Sequence, residues 1–358
     1  MSTRFLTEQS IAGNGIFSRQ STLNNFAGWN QVFVYYCSSD DWAGSASNVH
    51  LSTTDRNGMP VDYLINFRGA DIVEAVVGTL QREPDQRPIT YENNEGVTRV
   101  LPDLDKAELV LFTGSSAGGN GVKNNVDRVG ELLRKTNKRN PDSGDCPLVY
   151  MGVIDASYPP SYQSLDLTQA AFCREAPFLC DYESFYTSEW NQVNLVTWGA
   201  RGDESCVKWH QANEPGTESM CADPQHVVNN HLTTPVFIRQ DLQDQTWGNI
   251  FTGQGLTTPA QFGQLVHDQL LNVVNLDSFA EEGSVRSGGP QLKTPGVFGP
   301  QCTQHYGLSD SNAFFNVTVT DSGKSHSYYD LLWNWVQGVQ PQQVVHSFTA
   351  PGSASDCP

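Results

Sequence analysis

The sequence predicts an α/β fold built on a mainly parallel sheet with helices on both faces. Three observations predict it. Apolar, β-type runs recur at 31–37, 109–113, 148–154 and 235–239. Helical spacing of apolar positions follows at 71–80, 122–133, 260–276 and 328–336. No internal repeat or long linker interrupts this alternation, which is the pattern of parallel strands joined by crossover helices. A single domain spanning 1–358 is therefore expected.

In chain order, residues 8–30 are rich in Ser, Asn and Gly and read as loop. Gln31 to Cys37 (QVFVYYC) is a near-continuous apolar and aromatic run suited to a buried strand. Polar residues 38–45 (SSDDWAGS) follow at once, so a functional loop is expected at that strand end. Asp71 to Leu80 reads as a helix. Leu109 to Thr113 reads as a strand that leads straight into Gly114-Ser115-Ser116-Ala117-Gly118-Gly119, and Val122, Val126, Val129 and Leu133 then recur at helical spacing.

Strand, tight turn, helix is the context in which G-x-S-x-G (Gly114, Ser116, Gly118) forms a nucleophile elbow. Only small residues beside the serine permit the turn, and glycines at 118 and 119 are expected to let the helix pack close to the strand. The helix N-terminus directs its dipole at the serine oxygen. Ser116 is the candidate nucleophile; the plain alternative is a Gly/Ser-rich turn without chemistry. Leu148 to Ile154 is a further strand ending at Asp155, and residues 157–232 read as an irregular lid or insertion carrying four cysteines. Pro235 to Arg239 is a strand, Ala260 to Leu276 a helix, and Tyr328 to Val336 a Trp-rich terminal helix.

The formal charge of −18, from 21 Lys and Arg against 39 Asp and Glu, argues against nucleic acid and anionic membrane partners. It also weighs mildly against a polyanionic substrate. No apolar run reaches the length of a membrane-spanning helix, and MSTRFLTEQS lacks the layout of a signal peptide. Eight cysteines form no C-x-x-C pair, and no Cys/His cluster has zinc-ligand spacing, so neither a metal site nor a cofactor is expected. Cys173 with Cys180, Cys206 with Cys221 and Cys302 with Cys357 are the expected disulfides, which points to an oxidising compartment. Eight buried free thiols are the alternative. Asn316-Val317-Thr318 is a glycosylation sequon.

A serine nucleophile needs a base and an orienting acid, and on a parallel sheet these follow on loops after later strands. Asp241 and Asp244 both come directly after the 235–239 strand, whereas Asp155 comes early. Of eight histidines, His50 precedes the serine, His210, His226 and His231 precede the acid strand, and His267 sits in a helical pattern. His305, His326 and His346 remain. His305 alone of these lies in a short, Cys-anchored, Gly-flanked loop, GPQCTQHYGLSD.

TGSSAGGNGVKNNVDRV closely resembles the nucleophile segment of the Notum and pectin acetylesterase family of α/β-hydrolase-like carboxylesterases. VFVYYCSSDDWAGS, PVFIRQDLQDQ and QCTQHYG resemble the family's pre-nucleophile loop, acid strand and histidine segment. The resemblance runs, with gaps, through most of the chain and is weak at 157–232. It implies an α/β-hydrolase-like serine esterase with Ser116 as nucleophile, Asp244 as orienter and His305 as base then acid. The Ala117 amide would be an oxyanion donor, helped by Gly118 or Gly119.

The family's upstream glycine-rich strand end, which supplies a further oxyanion donor, has no counterpart here. The chain is thus expected to begin inside the family's domain, without a central strand, a signal peptide and the disulfide partner of Cys37. Loss of one such donor costs about 100- to 1,000-fold in turnover. A secreted location is expected from the cysteines and the resemblance. The expected substrate is a short-acyl ester, acetyl first, on a carbohydrate such as pectin; the alternatives are a lipid O-acyl ester on a protein, or glycan binding without catalysis, with Trp190, Trp198, Trp209 and Trp247 as stacking residues.

Overall fold

The computed structural model describes residues 13–82, 87–92, 96–136, 138, 148–276, 294–348 and 357. Residues 8–12 of the expected leading loop lie outside them. A hairpin, β1 (Ala46–Thr54) and β2 (Pro60–Phe67), precedes helix α1 (Gly69–Leu80), and a short hairpin, β3 (Thr90–Glu92) and β4 (Thr98–Val100), follows it. Then come β5 (Leu109–Ser115), α2 (Ala117–Thr136) and β6 (Val149–Asp155). The 157–232 region carries α3 (Ala171–Glu175), α4 (Tyr182–Glu189), a π-helix over Trp190–Trp198, α5 (Glu204–Asn213) and α6 (Pro224–Asn230). The chain continues through β7 (Val236–Arg239), α7 (Gln245–Gly253), α8 (Pro259–Val274), β8 (Gly296–Gly299) and α9 (Ser311–Phe315). It closes with the hairpin β9 (Thr318–Asp321) and β10 (Lys324–Ser327), then α10 (Tyr328–Gln337) and β11 (Gln343–Val345).

Five strands form one parallel sheet in the order β11-β8-β7-β6-β5. Side chains alternate across it, so both faces need cover. Tyr150, Ile154, Val236, Ile238 and Val297 pack on one face with valines of α1 and α2, Phe251 of α7 and Phe262, Val266 and Leu270 of α8. Met151, Val153, Phe237, Phe298 and Val344 pack on the other with Phe314, Leu331, Leu332 and Trp335. Burial of each such aliphatic side chain is worth about 1.5–3 kcal/mol. The expected α/β class with helices on both faces holds.

Two expectations fail. Gln31–Cys37 forms no strand: it joins no ladder, and Val32 and Phe33 are about half exposed. An apolar run supplies burial pressure, but a strand also needs a neighbour's backbone groups, and β5 pairs only with β6 among the described residues. The 157–232 region is not irregular; it is a string of short helices. Asp181, Asp203 and Asp223 cap α4, α5 and α6 by accepting backbone N–H groups. All three expected disulfides form, two of them inside this region, and Cys37 is a free thiol. No helix among the described residues is long and apolar enough to cross a membrane.

Candidate active site

The sheet's register sets the site. Ser115, Asp155 and Arg239 stand opposite one another across β5, β6 and β7, and the chain leaves the sheet just beyond this row. Ser116 follows at once in the left-handed region, φ +56°. A non-glycine residue held there stores about 1–3 kcal/mol of strain, so the surroundings must over-determine it. Ser116 N–H donates to Asp155 O at 2.9 Å, and Ser116 O accepts from Asn120 N–H at 3.1 Å and from the Ser157 hydroxyl. Gly114 is obligatory, because a Cβ there would lie 2.1 Å from Gly118 O. At Gly119 a Cβ would meet Ser157 Oγ at 2.6 Å, as the expected close helix packing requires. Gly118 does not share that reason, since a Cβ there meets nothing within 4 Å.

Asp244 is fully buried and caps α7: its Oδ1 accepts from Thr246 N–H at 2.9 Å and Trp247 N–H at 3.1 Å, and its Oδ2 accepts from Gln240 Nε2 at 2.8 Å. These donors stabilise its negative charge. His305 Nδ1 lies 3.0 Å from Oδ1 and 2.9 Å from Oδ2 of Asp244. On its other side, His305 Nε2 lies 2.7 Å from Ser116 Oγ. With Nδ1 donating to the carboxylate, Nε2 presents its lone pair to the serine hydroxyl. Ser116, Asp244 and His305 thus meet, whereas Asp155 and Asp241 do not face the imidazole.

Those two carboxylates hold the histidine's loop instead. Asp155 Oδ2 accepts from Gly307 N–H (3.0 Å) and Leu308 N–H (3.1 Å), and from the Ser115 hydroxyl. Asp241 Oδ2 accepts from Gln304 N–H at 2.8 Å. Arg239, 1% exposed, lies between them, 3.3 Å from Asp155 Oδ1 and 2.5 Å from Asp241 Oδ1, the latter an ion pair without hydrogen-bond alignment. One guanidinium cannot neutralise two buried carboxylates. Burial, opposed by Arg239, pushes Asp241 up to about 7. The 242–245 and 300–303 segments also run together through Leu242 N–H to Pro300 O, Gln243 N–H to Cys302 O and Gln245 N–H to Thr303 O, each 3.0 Å. That pairing sets Asp244 beside His305. No local pattern of residues marks this framework, because it depends on three strands in register.

A cavity of about 180 Å³ is lined by Asn120, one turn along α2 from Ser116, and by Trp247, whose ring centroid is 6.3 Å from that of His305; Ser116, Asp244 and His305 themselves are not part of its wall. Aromatic residues Tyr162, Tyr186, Trp190, Trp198 and Phe251 share its wall with Asp41, Lys123 and Glu189. Burial raises the pKa of Asp41 and of Glu189 and lowers that of Lys123, each offset by the opposite charge across the pocket. Trp209 does not line it. Asp41 belongs to the 38–45 loop, where Ser39, Asp41 and Trp42 all have positive φ. The expected functional loop therefore reaches the pocket: Asp41 Oδ2 accepts from Asn120 Nδ2 at 3.1 Å. Away from this pocket, Cys206, His210, His226 and His231 gather, which the sequence reading did not anticipate.

A serine on a strained strand-to-helix turn, a histidine and a buried aspartate on successive loops thus stand together at the C-terminal edge of a parallel sheet. The sequence matches the pectinacetylesterase family over residues 1–85 and 97–358, and the chain belongs to that family. Among its relatives, palmitoleoyl-protein carboxylesterase notum2 of Xenopus laevis is 26% identical over 308 residues, 85% of this chain and 50% of that protein. Notum1a of Danio rerio, also a palmitoleoyl-protein carboxylesterase, is 29% identical over 83% of this chain and 47% of its own length. The chain thus spans about half the length of these curated relatives. In fold it is similar to the Wnt deacylase Notum from Drosophila, with a TM-score of 0.63 and 20% identity over 100% of this chain and 82% of that one.

Proposed function

We propose that this protein is a serine carboxylesterase that removes short O-acyl groups, acetyl above all, from a carbohydrate. The contact of His305 with both Ser116 Oγ and Asp244 carries the reading. Ser116 Oγ attacks the ester carbonyl carbon while His305 Nε2 takes its proton. Asp244 holds the ring and offsets the positive charge that forms on it. The amides of the first turn of α2 have no acceptor within the helix, and Ala117 N–H, with Gly118 behind it, is the donor assigned to the developing oxyanion. Collapse breaks the ester C–O bond, and the alcohol leaves with the proton from His305. A water molecule then attacks the acyl-enzyme, His305 again taking a proton, and releases the acid and Ser116.

Pocket chemistry supports the short acyl group. A lipid chain would have to lie in a small cavity against Asp41, Lys123 and Glu189, and stripping such charges of their partners or solvent is costly. The family description favours a carbohydrate ester; the curated relatives, named for cleaving a palmitoleoyl ester on a protein, favour lipid hydrolysis as the second reading. Three disulfides and the exposed Asn316 sequon support an extracellular location. The test is hydrolysis of a p-nitrophenyl ester series from acetate upward by the wild type and Ser116→Ala. Serine-dependent turnover that falls with chain length is expected. A preference for long chains overturns the acetyl assignment, and an absence of turnover by folded protein leaves binding in place of catalysis.

A further inference from the structure

His210 lies on α5, His226 on α6 and His231 at the C-terminal cap of α6, so their spacing of 16 and 5 residues has no motif value. In the fold their Nε2 atoms converge: 2.8 Å separates those of His210 and His226, and 3.0 Å those of His226 and His231. The three ligand atoms and Cys206 Sγ all lie within 4.8 Å of one another. Cys206 is disulfide-bonded to Cys221 and has no thiolate to offer.

Hydrogen bonding alone does not satisfy this arrangement. Thr217 Oγ1 donates its one proton to Glu214 O at 2.6 Å, so at 2.6 Å from His210 Nδ1 it accepts the Nδ1 proton. His210, 1% exposed, therefore presents a lone pair at Nε2. A neutral imidazole nitrogen has one in-plane site. If His226 Nε2 donates to His210, it cannot also pair properly with His231; if it accepts from His231, two lone pairs face each other. One cation accepting all three lone pairs relieves every conflict.

We propose that His210, His226 and His231 form a structural binding site for a divalent, imidazole-preferring metal ion, of which Zn²⁺ is the best fit, with solvent in the fourth position. Zn–N bonds of about 2.05 Å place tetrahedral ligand nitrogens about 3.3 Å apart, a few tenths of an ångström beyond the two separations that His226 makes. Thr217 acts as the outer partner that fixes the tautomer of His210. Asn230 Nδ2 donates to His226 O at 3.0 Å and lies 3.4 Å from His226 Nδ1. Metal binding requires this amide to turn so that its oxygen accepts the Nδ1 proton. The consequence is mechanical: the ion joins α5 to α6 around the Cys206–Cys221 bridge, and Cys221, Ala222 and Pro224 line the cavity that Trp247 and Asn120 also line. Lys123 Nζ donates to Ala222 O at 3.3 Å from within that pocket.

The experiment is equilibrium dialysis of the chelator-treated full chain against ZnCl₂, with metal content and melting temperature read together. About one tightly held Zn²⁺ per chain and a rise in melting temperature are expected, with both retained in His267→Gln and His305→Gln. Since loss of an outer partner alone costs about 10- to 100-fold in metal affinity, Thr217→Val should weaken binding by that factor and His231→Gln by more. Should His231→Gln fail to fold, Co²⁺ titration of the wild type and Thr217→Val decides, through the visible absorption of a tetrahedral nitrogen site. Binding equal in wild type and His231→Gln, or no Zn²⁺ held by the wild type, overturns the proposal.

Discussion

Replacing Asp244 by Asn separates orientation of the base from the fold that supports it. In the substituted side chain, Oδ1 still accepts from Thr246 and Trp247, so the cap of α7 survives. The new amide occupies the position of Oδ2, 2.8 Å from Gln240 Nε2 and 2.9 Å from His305 Nδ1, both donors. Gln240 cannot turn freely, because its Oε1 accepts from Tyr158 N–H at 3.1 Å. The imidazole relieves the clash by moving its proton to Nε2, where it donates to Ser116 Oγ and can no longer act as base. The charge that stabilises the imidazolium is lost too. A neutral asparagine in this role costs about 10⁴-fold in turnover, or about 5.5 kcal/mol of barrier. The mismatch at Gln240 costs about 1–3 kcal/mol of stability, leaving the protein folded. Steady-state hydrolysis of p-nitrophenyl acetate, with a thermal melt on the same sample, measures both. A fall of less than about 30-fold in kcat with an unchanged melt refutes the assigned role.

Gly114→Ala should sharply reduce folded, soluble protein, since its Cβ would meet backbone rather than a movable side chain; a normal yield and melt would contradict the account of the elbow. Asp241→Asn tests the buried Asp155–Arg239–Asp241 array. An acid with a raised folded pKa stabilises the fold in its protonated form, so that contribution is present below pH 4 and lost as pH climbs through about 7. The melting temperature of the wild type relative to Asp241→Asn should therefore decline from pH 4 to pH 8, and a constant or rising difference would count against it. Trp247→Ala enlarges the pocket beside His305 and should move the preferred ester toward longer acyl chains by two or more carbons; the ester series checks this, and an unchanged profile places the acyl group elsewhere.

What could be read from the sequence was what neighbouring residues decide. Ser116 was legible because strand, turn and helix lie within 28 residues of chain, 109–136. His305 was narrowed by its Cys-anchored loop, and choosing Asp244 over Asp241 needed the resemblance to known esterases. Three-dimensional register was not legible: it turns Asp241 and Asp155 into supports of the histidine loop and brings His210, His226 and His231 together. Strands β8 and β11 went unseen, being four and three residues long. The β1–β2 hairpin was missed because most of its residues are exposed, leaving no apolar alternation. Gln31–Cys37 shows the converse error, an apolar run without a backbone partner.

The central claim, that Ser116 is a nucleophile activated by His305, is tested most directly by intact-mass analysis after treatment with a fluorophosphonate. The account predicts a single adduct mapping to Ser116, absent in Ser116→Ala and strongly slowed in His305→Ala. Labelling that persists in Ser116→Ala, or a folded wild-type chain that takes up no label, would contradict it.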